Sequence, residues 1–228
     1  MARLRSRRWR LDWLGALTGL ESLLVHGCRV RAEWLRGLSR LRGLDLRACR
    51  TRDLAPLSLL SRLTSLSLAQ NDIDDVRPLR RLRALQYLGL SHNALADLGP
   101  VAALPRLRRL DADHNRIASL PGLSKLARLE ALDLAHNRFT DVSRLGPLER
   151  LRRLTLHHNG LVDITPLGAL GRLQYLHLGH NRIRDLGPLR RARSLTVVEA
   201  DGNPADADAL LELPRLVRVG STFKRDRA

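Results

Sequence analysis

The sequence is poor in several residue types. Its 228 residues include two cysteines, one methionine, three tryptophans, two tyrosines and two phenylalanines, and Lys125 and Lys224 are its only lysines. Two cysteines cannot build a disulfide framework. With so few rings the core must come from branched aliphatics, and a base-stacking surface has little to use. No apolar run approaches the roughly 18 residues that a membrane-spanning helix needs. No phosphate-cradling glycine loop, no G-x-S-x-G and no H-E-x-x-H occurs, so no catalytic residue, metal site or cofactor site is expected and the chain does not read as an enzyme. Asp12 and Glu21 interrupt any secretory-type apolar segment, which points to a cytoplasmic protein that does not enter a membrane. In contrast, 53 residues are leucine and 38 are arginine, with a formal net charge of +17. Leucine at this density argues against disorder despite the charge.

The leucines are periodic. Leu60, Leu63, Leu66, Leu68, Asn71, Ile73, Val76 and Leu79 return one unit later as Leu82, Leu85, Leu88, Leu90, Asn93, Leu95, Leu98 and Val101. The frame runs on through Asn115, Asn137, Asn159, Asn181 and Asn203, and back to Cys49 and, after one shortened unit, Cys28; the successive spacings are 21 and then 22 throughout. Leu-x-Leu before the Asn alternates with period two and places both leucines on one face of a short strand. Such a strand cannot bury that face alone, so neighbours stack at about 4.8 Å into a parallel sheet. The Asn sits where the chain turns inward, and its amide can satisfy buried backbone groups of adjacent units. The return segment carries Asp-φ-x-Pro-φ (φ apolar), from Asp53, Asp75, Asp97, Asp163 and Asp185. Asp can cap a helical turn and Pro tolerates its first positions. A unit of 22 residues is too short for a full α-helix, which predicts 3-10 or irregular turns on the outer side.

This pattern resembles the 22-residue subclass of leucine-rich repeats, found in phosphatase-regulating proteins and internalins. The resemblance implies an α/β repeat fold: a right-handed solenoid of about nine short parallel strands on a concave face, with 3-10 turns on the convex face. It divides the chain into a basic N-terminal cap (1–13), the repeats (14–211) and a C-terminal cap with a frayed tail (212–228). Ser119 and Gly122 replace the Asp and Pro of one unit, and Arg144 replaces the Pro of another. At the front, Trp9 and Trp13 are expected as lids, with Leu11, Leu14 and Leu17 over the first repeat; an Arg-rich organelle presequence is the alternative reading of this end. Ala205 to Leu213 reads as helical. Cys28 and Cys49 occupy the Asn column and are expected to be buried free thiols.

Two surfaces could bind a partner. On the concave side one column reads His92, His114, His136, His158 and His180, with His157 and His177 beside it and Tyr87, Arg109, Asp111, Asp113, Asp133, Arg153 and Tyr175 on the same face. Tyr and Arg are favoured interface anchors. The histidines are explained by repeat duplication, by a pH-responsive surface, or by a transition-metal site; their ladder spacing is unlike a closed tetrahedron, so no metal is expected. The second surface is a rim of Arg40, Arg62, Arg106, Arg128, Arg150 and Arg172, interrupted by Ala84. A stripe of this kind can follow a phosphate backbone or meet an acidic protein, while arginine in place of lysine also fits plain surface solvation. The expectation is a monomeric, non-catalytic scaffold that binds another protein through the sheet. The alternative is electrostatic binding of nucleic acid or another polyanion through the rim.

Overall fold

Each repeat in the computed structural model is built from a short strand, an inward turn at an Asn (Cys in the first two) and a 3-10 turn on the outer side. The structure describes residues 2–5, 15–30, 32–211, 213–219 and 223–224. The nine repeat strands are β2 (Ser22–His26), β3 (Gly43–Asp45), β4 (Ser65–Ser67), β5 (Tyr87–Gly89), β6 (Arg109–Asp111), β7 (Ala131–Asp133), β8 (Arg153–Thr155), β9 (Tyr175–His177) and β10 (Val197–Glu199). They pair in chain order, all parallel, and the register puts Leu44, Leu66, Leu88, Leu110, Leu132, Leu154, Leu176 and Val198 in one row. That row is buried, as are Leu46, Leu68, Leu90, Leu134, Leu156 and Leu178 two residues on. Each buried leucine contributes about 1.5–3 kcal/mol of apolar transfer, and stacking extends the core without a break from Leu23 to Leu216.

The asparagines fasten one unit to the next. Asn71 Oδ1 accepts from the amides of Cys49 (3.0 Å) and Thr51 (2.9 Å), while its Nδ2 donates to the carbonyls of Leu46, Leu68 and Ala69. Asn93, Asn115, Asn137, Asn181 and Asn203 likewise each accept from an amide of the preceding repeat and donate to one of its carbonyls. Cys28 and Cys49 are buried, reduced thiols in this column; Cys49 Sγ donates to the carbonyl of Val25 at 3.0 Å, and burial pushes its pKa up to about 11. A thiol held protonated in this way is a poor nucleophile.

The return segments follow the Asp and Pro signals. Asp53, Asp75, Asp97, Asp163 and Asp185 each accept from the amide two residues on, an Asx turn that starts a five-residue 3-10 helix with Pro at its second position. Where the Pro is missing the helix shrinks to three residues, Leu123–Lys125 and Ser143–Leu145. Gly122 enters the first of these with φ of +71°, a conformation that favours glycine.

The ends carry strands that the repeat pattern does not contain. β1 (Ala2–Arg5) pairs parallel with β2. At the rear, β11 (Arg218–Val219) extends the parallel sheet and β12 (Phe223–Lys224) folds back antiparallel onto it. The helical reading of Ala205–Leu213 narrows to a 3-10 turn, Ala207–Leu210, opened by Asp206 accepting from the Asp208 amide at 3.0 Å. Leu213 and Leu216 are buried, closing the core, whereas Leu17 is exposed rather than seated on the first repeat. The expected Trp9 and Trp13 lids, Leu11 and Leu14, and most of the tail 221–228 lie outside the described residues.

Candidate protein-binding face

The concave surface is set by the strand register. One row of outward residues reads Gly43, Ser65, Tyr87, Arg109, Ala131, Arg153, Tyr175 and Val197, and the next reads Asp45, Ser67, Gly89, Asp111, Asp133, Thr155, His177 and Glu199. Ala131 is a small residue between two arginines. It makes a notch of about 150 Å³ bounded by Arg109, Asp111, Asp133, Arg153, Thr155 and Tyr175. Arg109 Nε donates to both carboxylate oxygens of Asp111 (2.9 and 3.0 Å), and its guanidinium lies 5.6 Å from the Tyr87 ring centroid. Burial and neighbouring Asp111 push the Tyr87 hydroxyl up to about 12. Asp133 accepts from the Ala135 amide at 3.1 Å, yet burial, with Asp113 and Asp111 nearby, pushes its pKa up to about 6. Above about pH 6 it is ionised, which leaves a half-buried negative charge at the notch.

The histidine column stands at one side of this face, just past the strands. His92, His114, His136, His158 and His180 all have φ between 51° and 54°. Gly27, Ala48, Gln70 and Gly202 take the same left-handed conformation in their repeats. It is a place where bulky or β-branched residues are strained and His is better tolerated. Their amides extend the ladder beyond the strands, as His136 N donates to His157 O (2.9 Å) and His158 N to Gly179 O (3.0 Å). The side chains stack face to face: ring centroids are 4.0 Å apart for His92–His114, 4.1 Å for His114–His136, 4.2 Å for His136–His158 and 4.3 Å for His158–His180. The stack ends at Gly202, where a Cβ would meet His180 Nδ1 at 2.6 Å. Burial and neighbouring imidazoles hold His136 and His158 below the usual histidine range, and the same causes bring His157 down to about 4.

His157 and His177 come from the two columns beside the stack, and their rings are 4.2 Å apart. His177 Nδ1 lies 3.6 Å from Glu199; burial lowers its pKa against the pull of Glu199 and Asp201. His114 Nδ1 lies 2.9 Å from Asp113, which also receives the Ser91 hydroxyl. The structure therefore brings Tyr87, Arg109, Asp111, Asp133, Arg153, Tyr175 and His177 onto the strands. It places Asp113, His157 and the five stacked histidines in the turn that follows them. The six rim arginines, Arg40, Arg62, Arg106, Arg128, Arg150 and Arg172, are all exposed in the turn that precedes a strand. They sit on the opposite border of the face from the histidines.

The front of the face holds a feature that residue-by-residue reading passes over. A groove of about 420 Å³ runs across β2 to β5, floored by Gly43, Ser65, Ser67, Ala69, Gly89 and Ser91 and walled by Asp45, Arg47 and Tyr87. Small neutral residues carry no chemical signal singly; reading the outward rows across repeats shows them as a run. Arg47 binds Asp45 through Nε and Nη2, and His26 Nε2 lies 2.9 Å from the same carboxylate. Burial raises the Asp45 pKa, but the hydrogen bonds from Arg47 and His26 outweigh it and the net direction is down.

Two family models match the chain, "Leucine Rich repeats (2 copies)" over residues 105–149 and 149–191 and "Leucine rich repeat" over 61–117. No curated protein matches it by sequence. Among solved structures, an internalin from Listeria monocytogenes, InlF, superposes with a TM-score of 0.87 at 28% identity, covering 92% of this chain and 63% of its own. This chain thus spans under two thirds of that structure's length. Internalin C2 of the same organism gives 0.78 at 31% identity, with 81% and 82% covered. The ectodomain of a plant membrane receptor kinase from Arabidopsis thaliana, solved in complex with Casparian strip integrity factor 2, gives 0.79 at 22% identity, covering 91% of this chain and 27% of that one. The last is a likeness of fold alone.

Proposed function

The chain belongs to the leucine-rich repeat family, and on that premise we propose that it is a non-catalytic scaffold that binds a protein partner through its concave sheet. Neighbours in this fold include receptors solved with peptide partners. The observation that carries the proposal is the notch at Ala131. There Asp133 is held half-buried with its pKa at about 6, between Arg109, Arg153 and Tyr175. Holding a carboxylate half-buried there works against folding. The notch has the make-up of an interface centre: an aromatic and arginines around a desolvated charge. An open face without a closed, water-free pocket suits binding rather than turnover. Among the described residues no helix is long and apolar enough to cross a membrane. We further propose that the protein acts as a monomer in the cytoplasm.

The test is capture of partners by the intact chain, by Tyr175→Ala and Asp133→Ala variants, and by a variant with Arg106, Arg128, Arg150 and Arg172 changed to Ser. The proposal expects a partner that is lost with the concave variants and retained by the rim variant at both low and high salt. Capture that ignores the concave variants but fails with the rim variant, and at raised salt, would replace it with polyanion binding, since counterion release makes such binding steeply salt-dependent.

A further inference from the structure

Duplication of a filler explains the column of His92, His114, His136, His158 and His180, because each sits at the same left-handed position of its repeat. It does not explain His157. The column of His157 otherwise holds Ser91, Asp113, Ala135 and Gly179 in the neighbouring repeats. His157 is placed so that its ring stands edge-on to two members of the stack, at 4.9 Å and 87° to His136 and at 5.3 Å and 74° to His158. One ring nitrogen from each of His136, His157 and His158 lies within 4.8 Å of the other two.

We propose that His136, His157 and His158 form a binding site for a divalent transition-metal ion of the zinc, nickel or copper class. Imidazole nitrogen suits these ions, whereas magnesium and calcium prefer oxygen. Tetrahedral zinc with bonds of about 2.0–2.1 Å sets its nitrogens about 3.3 Å apart. The observed separation closes to that value if the parallel rings of His136 and His158 splay toward His157. His158 is exposed and His136 half-buried, so both side chains reach solvent, and the rotation gives up their stacking on His114 and His180. Hydrogen bonds to the following repeat hold the turns that carry His136 and His158. A fourth position falls to water or to His177, whose ring is 4.2 Å from that of His157 and whose Nδ1 lies 3.6 Å from Glu199. A carboxylate behind a histidine is the usual way of orienting a ligating ring.

A second group, His92, His114 and Asp113, is also compact. Its carboxylate is already engaged by Ser91 and His114, which leaves less to offer an ion. The net charge of +17 opposes any cation at long range, but this is screened beyond about 8–10 Å at ordinary salt and leaves the local donor set to decide. The five stacked histidines offer no closed set of donors among themselves; the site arises where His157, from a neighbouring column, meets two of them.

The experiment is titration of the tag-free, full-length protein with zinc by calorimetry, repeated with cobalt(II) to read its visible absorption. One ion per chain is expected, with a tetrahedral or five-coordinate cobalt spectrum. His157→Asn and the exposed-site variant His158→Asn should each weaken binding at least tenfold, while His180→Asn, in the same stack but away from His157, should leave it unchanged. Zinc heat no greater than the buffer blank would overturn the proposal. So would His157→Asn and His158→Asn proteins that keep a native circular dichroism spectrum and bind like the parent. Equal loss in His180→Asn would also overturn it, because a stack binding ions along its whole length is not this site.

Discussion

Replacing Asp133 with Asn should stabilise the protein at neutral pH and leave it unchanged in acid. Asp133 is ionised in the unfolded chain above its ordinary value of 3.8, but the fold raises its pKa to about 6, chiefly by burial. A carboxyl whose folded pKa is raised contributes stability that is fully present below pH 3.8, declines as pH rises toward 6 and is absent above that. A shift of about two units corresponds to about 3 kcal/mol, and the partial exposure of the group reduces this to roughly 1–2 kcal/mol. Asparagine has the same shape, keeps an oxygen for the Ala135 amide and carries no charge to desolvate. For a chain of this size about 1 kcal/mol moves the midpoint by about 2–4 °C, so Asp133→Asn should melt about 3–6 °C higher at pH 7.5. At pH 3.5 parent and variant should melt together. Differential scanning calorimetry at the two pH values measures both. A gain that is equal at the two pH values, or no gain at pH 7.5, would refute the assignment of strain to a buried charge. If the gain is found, Asp133 is a residue that folding alone would discard, and its presence then asks for a binding role.

His157 behaves in the opposite sense: its pKa is lowered to about 4 by burial and by His177, His136, His158 and His114, so its contribution is present above 6.5 and lost as pH falls through that window toward 4. In the Asp133→Asn background, His157→Gln should flatten the acid side of the stability profile by about 1 kcal/mol after allowance for exposure; an unchanged profile from pH 7 to 4.5 would contradict the lowered value. Asn71→Ala strands the amides of Cys49 and Thr51 and should cost about 3 kcal/mol in urea unfolding, and a loss under about 0.5 kcal/mol would mean the amide is not what joins these repeats. Gly202→Ala meets both a left-handed backbone and the His180 ring, and should cost about 1–2 kcal/mol, seen as faster amide exchange at the rear repeats.

The repeat was legible because fixed spacing is what stacking demands: Leu66, Leu88 and Leu110 share a column in the sequence and a row in the sheet. Asn71 and Asp75 were legible for a like reason, since their hydrogen bonds are local or one repeat away. Pro78 and Arg144 hold the same position in their repeats, and the difference in turn length between them, five residues against three, emerges only in the structure. The histidine column was legible as a column, but not its cause, because a left-handed φ is a property of the turn and not of any one residue type. The meeting of His157 with His136 and His158 was not legible either: it joins two columns in adjacent repeats and depends on ring orientation. The groove floored by Ser65, Ser67 and Gly89 carries its information in shape. Ala2–Arg5 and Phe223–Lys224 fall outside the period and join the sheet at its open edges, where pairing is supplied by the neighbouring strand.

The reversal at the rear end sets a rule for changing the length of this molecule. Between β3 and β10 every junction is the same parallel register, so a unit of 22 residues ending at any Asn from Asn93 to Asn181 meets on either side the surface it already fits. A unit added after Val219 meets an antiparallel strand, Phe223–Lys224, that it would first have to displace. The array can thus grow from its middle: its span, and with it the reach of the face it presents, can be lengthened there without disturbing the antiparallel strand at the rear.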